Sequence, residues 1–357
     1  MKKIVSILLV LAMVLCMASC GSEPAAEGTY KVGICQLVQH EALDAATEGF
    51  KEALFTLLEA DGKTVEFIEQ NASGDAATCV TICNQLVAEG VDLIMGNATP
   101  ALQAAAAATA EIPIIGTSIT DYATALEIAD WTGATGSNIT GTADLAPLDQ
   151  QAAMIPELFP EAKKIGILYC SAEPNSVYQA NIVIAELEAA GLTCEVFTFA
   201  DSNDVANVTS AACAAADVLY IPTDNTAASC AETINNVALP AGVPIISGEE
   251  NACKGFGVAT LSISYYDIGF IAGEMAAEIL ENGAKEAIVM YYKKPRIAHY
   301  VAFTSAGKDE NGKDLYRFYN VGGKLMRKFG EGNPVIMTLE DYISETAYNC
   351  CIYFKLN

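Results

Sequence analysis

The chain has 357 residues, 52% hydrophobic and 18% charged, with a formal net charge of −25. So acidic a chain excludes nucleic acid and anionic lipid headgroups as electrostatic partners. Its length exceeds the roughly 250–300 residues at which one hydrophobic core stops growing, so two lobes are expected.

Lys2 and Lys3 precede an apolar run from Ile4 to Met17. The run is long enough for an export signal and too short to cross a bilayer comfortably. It closes on Ala18-Ser19-Cys20-Gly21, which resembles the lipobox of bacterial lipoproteins. Residues 1–20 are therefore expected to be a lipoprotein signal peptide with Cys20 lipidated, and residues 21–29 a tether of small and polar residues. An ordinary export signal cleaved beside Ala18 and Ser19 is the alternative. No later stretch approaches the roughly 20 apolar residues of a transmembrane helix. Apart from Cys16 and Cys20, nearly all the cysteines sit inside apolar patterns and read as small buried hydrophobes. Cys79 and Cys83 lie four apart, but no histidine or second cysteine pair completes a metal site. No metal and no cofactor are expected.

From Tyr30, short β-rich runs alternate with helical stretches, the pattern of α/β units on parallel sheets. Strands are predicted at Tyr30 to Cys35, Val65 to Ile68, Val91 to Gly96 and Ile112 to Gly116. Leu43, Ala46, Phe50, Leu54 and Leu57 recur at helical spacing between the first two. A second set follows at Lys164 to Cys170, Cys194 to Phe199, Val218 to Pro222 and Val243 to Ser247. The order Asp92 to Thr99, a helix, then Ile112 to Ser118 is repeated by Asp217 to Asp224, a helix, then Val243 to Glu249. The fold class read from this is α/β, two Rossmann-like lobes with parallel sheets joined by a hinge of several crossings. Lobe one takes residues 30–140 and 252–284, and lobe two 141–251. The glycine-rich segment Trp131 to Leu145 is read as the first crossing. A second crossing near Asn251 to Gly257 would return the chain to lobe one for a strand at Gly257 to Ile263 and a helix at Tyr265 to Glu281. In such sheets ligands bind beyond the carboxyl ends of the strands, which here would face each other across a cleft.

Four strand-end segments come in order: Gly33 to Ala45, Gly96 to Pro100, Tyr169 to Ser176 and Ile221 to Thr226. Together they resemble the tryptophan/tyrosine-type substrate-binding proteins of ABC importers, which have the type I periplasmic-binding-protein fold; the resemblance covers about residues 30–282. It implies an extracytoplasmic, lipid-anchored monomer that hands a small ligand, an aromatic amino acid, to an ABC permease and its ATPase. It also implies that Ala98, Thr99, Ser118 and Thr120 hold a ligand carboxylate through hydroxyls and backbone N–H groups, and that Asp224 pairs with the α-ammonium. Gln36, His40, Asn175 and Ser176 would contact the ligand side chain or bridge the lobes. Asn97, Thr117, Ser171, Thr223, Asn225 and Glu249 complete the strand-end set. For Thr99, Ser118, Asp224 and Asn225, capping of the following helix is an equally physical role. Loops rich in Thr, Ser, Asn and Asp, without several aromatic rings to stack on a sugar, suit a zwitterion.

Catalysis is not expected, because a Gly-x-Gly-x-x-Gly turn, a Gly-x-Ser-x-Gly elbow and a phosphate loop are all missing and only His40 and His299 could serve as histidine bases. A ligand-sensing module for a membrane receptor or kinase, or a binding protein for another solute, would use the same architecture. Residues 285–357 depart from the rest. They hold 11 of the 19 Lys and Arg but only 8 of the 44 Asp and Glu. They read either as a foreign end or as a divergent cap completing lobe two.

Overall fold

The computed structural model describes residues 28–131 and 135–282, and after them the backbone of five further strands. Residues 1–27, with Cys20 and most of the tether, lie outside the described residues, as do Gly133, Lys293 to Arg296 and Gly322 to Lys324.

Two parallel five-stranded sheets form the body of the molecule, flanked by helices, as the strand pattern implied. The first has the order β2-β1-β3-β4-β5, with β1 Thr29–Gln36, β2 Thr64–Asn71, β3 Leu93–Asn97, β4 Ile114–Ile119 and β5 Ile139–Ala143. Every residue of β3 and β4 is buried, which explains why they read as unbroken apolar runs. The edge strand β2 alternates between exposed and half-buried residues. Helices α1 Glu41–Ala60, α2 Ala76–Ala88, α3 Thr99–Ala108 and the single turn α4 Tyr122–Ala125 connect these strands. Inside this core Cys35 meets Cys79 and Cys83, and hydrogen bonding to Cys79 and Cys83, with burial, holds its thiol far above the ordinary range. All eight described cysteines from Cys35 to Cys253 are free thiols.

The second sheet has the order β10-β9-β8-β6-β7. It comprises β6 Lys164–Cys170, β7 Thr193–Phe199, β8 Val218–Ile221, β9 Ile245–Ser247 and β10 Ala259–Thr260. Around it lie α5 Leu148–Leu158, α6 Pro174–Ala189, α7 Val205–Ala215, α8 Asn225–Ser229, α9 Ala231–Ala241 and α10 Glu250–Phe256. Helix α11, Tyr265–Asn282, returns to the first lobe, where Ala272, Met275, Ala276 and Ile279 join the core of sheet one. It runs along α1 at backbone contact: a Cβ on Gly269 would collide with the main chain of Ala46, and one on Gly49 with that of Tyr266.

Sheet membership puts both lobe boundaries later in the chain than the sequence pattern placed them. The glycine-rich segment Trp131 to Leu145 is not simply a link, since it contains β5, the fifth strand of sheet one. Gly141 is needed there for close packing: it has φ +152° and faces Gly116 O and the Tyr122 hydroxyl. The chain therefore crosses after Ala143. At the other end β10 pairs with β9 in sheet two, so the strand expected to begin the return to lobe one still belongs to lobe two. The chain returns only through Leu261 to Ser264.

After α11, β11 Glu286–Tyr291, β12 His299–Lys308, β13 Asp314–Phe318, β14 Val335–Met337 and β15 Cys350–Lys355 form a third, antiparallel sheet in the order β14-β13-β12-β11-β15. These strands pair with one another and with no strand of the two parallel sheets.

Candidate functional site

The carboxyl ends of both parallel sheets meet, and side chains bridge them. His40, which caps α1, stands 3.3 Å through Nε2 from Asn225 Oδ1 at the start of α8. The Asn225 amide nitrogen is committed to Glu173 and His40 Nδ1 accepts the Leu43 N–H. Nε2 must therefore carry the proton and donate, which assigns a neutral ring. Burial lowers the pKa of His40 and favours that form. A second bridge joins Gln179 Nε2 on α6 to Thr120 Oγ1 beyond β4 at 3.3 Å. The lobes are closed on each other.

On the lobe-one side, a one-way chain of hydrogen bonds fixes the strand ends. Ser118 Oγ donates to Asn97 Oδ1 (2.8 Å), Asn97 Nδ2 to Thr47 Oγ1 (3.0 Å), Thr47 Oγ1 to Gln36 Oε1 (2.7 Å), and Gln36 Nε2 to Asp44 (2.7 Å). Asn97 is fully buried and also donates to Leu43 O. Gln36 and Asn97 thus brace the site from behind. Thr117 bonds Thr142, whose hydroxyl reaches Ile268 O on α11, so Thr117 belongs to the packing of sheet and helix. The braced backbone is strained: Ala98 has φ +87° and Ser118 φ +57°. Non-glycine residues held there cost about 1–3 kcal/mol each and cluster at functional sites. Ala98 leads into α3, and no side chain caps that helix. The N-terminal N–H groups of a ten-residue helix, with its dipole, are thereby presented beside Thr99, Ser118 and Thr120.

On the lobe-two side the strand ends are acidic. Asp224 is 3% exposed and caps α8. One carboxylate oxygen accepts the Ala227 N–H (2.7 Å), and the other accepts the Cys170 N–H (2.6 Å). Burial, and then the neighbouring Glu173 charge, push its pKa up to about 8. Glu173 is 4% exposed. Its Oε1 accepts from Thr226 N (2.9 Å) and Oγ1 (2.8 Å), and its Oε2 from Asn225 N (3.0 Å), Asn225 Nδ2 (2.7 Å) and Asn175 Nδ2 (3.2 Å). Neither acid takes part in an ion pair among the described residues. Ser176 lies buried beside Asp224 and hydrogen-bonds it. Thr223 presents its carbonyl oxygen to Asn175 and Gln179. Asn175 Oδ1 is buried and has no donor.

Ser171 and Glu249 also follow strands of sheet two, β6 and β9, and bond within that lobe. Ser171 is exposed and bonds Phe199 O at the end of β7. Glu249 caps α10 through Ala252 N and Asn251 N, and burial raises its pKa. At the crossings, Asp144 accepts from Thr120 Oγ1 (2.9 Å) and from the Tyr265 hydroxyl (2.8 Å). Gln151 donates to Gly248 O and Leu261 O. Glu173, Gln179, Asp144 and Gln151 were not singled out from the sequence. Glu173 was visible only as part of the Tyr169 to Ser176 motif. An open depression of about 580 Å³ lined by Gln36, Asp44, Lys51, Phe67 and Glu69 receives nothing from lobe two and is a surface groove of lobe one. Among the described residues, no group of His, Cys, Asp and Glu is arranged to hold a metal ion, and no helix is long and apolar enough to cross a membrane.

Comparison with known proteins agrees with this architecture. A curated tyrosine-binding protein of Clostridioides difficile (strain R20291) is 35% identical over 250 residues, 70% of this chain and 72% of the relative. A solved ABC domain from Streptococcus pneumoniae in complex with L-Trp is 34% identical, with a TM-score of 0.66 over 70% of this chain and 85% of that one. A ligand-free, open substrate-binding protein with adhesive properties from Clostridium difficile is equally identical at 34%, over 71% of this chain and 85% of that one. Its TM-score is 0.53. At equal identity the closed lobes thus superpose better on the complex than on the open form. The family model for ABC transporter substrate binding proteins matches residues 31–296. The chain belongs to that family of binding proteins and has its type I periplasmic-binding-protein fold.

Proposed function

We propose that the protein captures an aromatic amino acid, tyrosine or tryptophan, as a zwitterion between its lobes and delivers it to an ABC permease and ATPase. The observation that carries this reading is the opposed polarity of the two strand-end surfaces. Lobe one offers donors, namely the uncapped N-terminus of α3 and the hydroxyl of Thr99, while the Ser118 and Thr120 hydroxyls donate to Asn97 and Asp144 and line the same end of the sheet. These suit a carboxylate. Lobe two offers Asp224, a buried acid without a cation, and an acceptor without a donor in Asn175 Oδ1. These suit an α-ammonium. The tyrosine- and tryptophan-binding relatives favour an aromatic side chain.

Melting the protein with each of the twenty amino acids tests the reading, since a ligand at 100 times its Kd adds about 2.7 kcal/mol to stability. A melting point unmoved by every amino acid would set it aside. Lobe one is assigned residues 30–143 and 262–282, and lobe two 144–261, with the third sheet an addition beyond both. The protein acts as a monomer held by lipid at the outer face of the cell membrane. Cys20→Ala should release it from the membrane fraction or leave it unprocessed, as fractionation and mass measurement would show; unchanged anchoring and processing would exclude Cys20 as the anchor.

A further inference from the structure

We infer that Glu173 is the positioning residue that makes lobe two select an amine, by turning the side-chain oxygens of Asn175 and Asn225 toward the opposite lobe. The inference rests on the proposed amino-acid site and goes further by naming what fixes its polarity. An asparagine amide can present either oxygen or nitrogen to a site, and its hydrogen-bond partners decide which. Asn175 Nδ2 is surrounded by acceptors only: Glu173 Oε2 at 3.2 Å, Ser176 Oγ at 3.3 Å and Thr223 O at 3.2 Å. Asn225 Nδ2 is held at 2.7 Å by the same Glu173 oxygen. Both nitrogens therefore face inward, and both oxygens are left for the seam.

One of those oxygens has a visible partner across the seam, His40 Nε2. The other, Asn175 Oδ1, is buried without a donor in a residue only 6% exposed. A buried acceptor left without a partner is costly, and a ligand N–H supplies what it lacks. Asn175 lies between the two interlobe bridges, since Thr223 O binds both its amide and that of Gln179, which reaches Thr120. Glu173 reaches the ligand only through other residues. Its own oxygens are filled by the N-terminus of α8 and the two amides.

A carboxylate is required because it accepts on both oxygens. In Glu173→Gln, one end becomes an NH2 group, and an amide facing it must turn its own oxygen inward and its nitrogen to the seam. The ammonium then meets a donor in place of an acceptor. The test is calorimetric titration of wild type and Glu173→Gln with L-tyrosine and with its des-amino analogue 3-(4-hydroxyphenyl)propanoate. Wild type should prefer tyrosine by more than a hundredfold. Glu173→Gln should lose at least tenfold of that preference, while its affinity for the analogue changes by less than about threefold. A purely structural role would weaken both ligands alike, so a preserved preference overturns the inference. Should Glu173→Gln not fold, Asn175→Ala decides, because it removes the unpaired oxygen and leaves the α8 cap intact. Its preference should fall in the same way, and an unchanged preference overturns the inference. If wild type binds neither ligand, the amino-acid site itself is wrong and the positioning role falls with it.

Discussion

Asp224→Asn is expected to lower affinity for tyrosine or tryptophan by more than tenfold and to abolish the proton release that accompanies binding at neutral pH. Removing one partner of a buried, hydrogen-bonded charge pair costs about 2–5 kcal/mol, and an amide of the same shape should lie toward the low end. Two effects on the stability of the ligand-free variant oppose each other, since the amide misplaces a donor but also removes the ionisation cost that Asp224 carries at neutral pH. Both Asp224 oxygens accept backbone N–H groups, from Ala227 and Cys170, so an amide must turn its NH2 toward one of them. An unsatisfied buried donor costs about 1–3 kcal/mol.

The proton follows from the raised pKa of Asp224, about 8 against an ordinary 3.8. Between those values the folded, ligand-free protein holds a proton that the unfolded chain has lost. The resulting cost to stability is absent below the unfolded value, grows as pH rises, and is complete above about pH 8. His40 acts in the opposite sense. Its pKa is lowered from 6.5, so the unfolded chain binds the extra proton and stability rises with pH up to that value. The difference between wild type and Asp224→Asn isolates the first contribution, because the second is common to both. An arriving ammonium stabilises the Asp224 carboxylate, so at pH 7 wild type should release a proton on binding and bind more tightly as pH approaches 8. Calorimetry in buffers of different ionisation enthalpy reads this directly. Equal proton release from both proteins would place the titrating group elsewhere.

Gly269→Ala should lower the melting point by about 5–10 °C. The new methyl group would strike the Ala46 main chain on α1, and a backbone cannot step aside as a side chain can. Overpacking typically costs about 1–3 kcal/mol, at roughly 2–4 °C per kcal/mol for chains of this order of size. Gly273 against Phe50 O and Gly49 against Tyr266 O hold the same two helices at contact, so separating them disturbs the whole interface. An unchanged melt would show that α11 is not anchored to lobe one along this line.

How much could be read in advance depended on how local each signal was. The buried strands β3, β4 and β6 were legible because they are continuous apolar runs bounded by polar residues. β5 is hidden in the segment Trp131 to Leu145 because close backbone approach, as at Gly141, and a flexible link use the same residue. β10 was misplaced because only two of its residues pair and the flanking Val258 is 60% exposed, leaving no hydrophobic pattern to say which sheet it joins. Asp224 was legible as a cap or as a ligand group but not as one rather than the other; the geometry shows the cap. Glu173 was not legible at all. It stands just before Pro174 at the start of α6, where an acid reads as a local cap, yet its partners Asn225 and Thr226 begin a different helix. No spacing rule connects residues that far apart.

If the seam between the lobes recognises both charged ends of an amino acid, binding should need each of them. Calorimetric titration of the full protein with L-tyrosine and L-tryptophan, then with analogues lacking the amine or the carboxylate, measures this. One-to-one binding of at least one parent amino acid, weakened more than a hundredfold by loss of either group, is the expected result. Binding that survives deletion of the amine, or no binding of either amino acid, would contradict it.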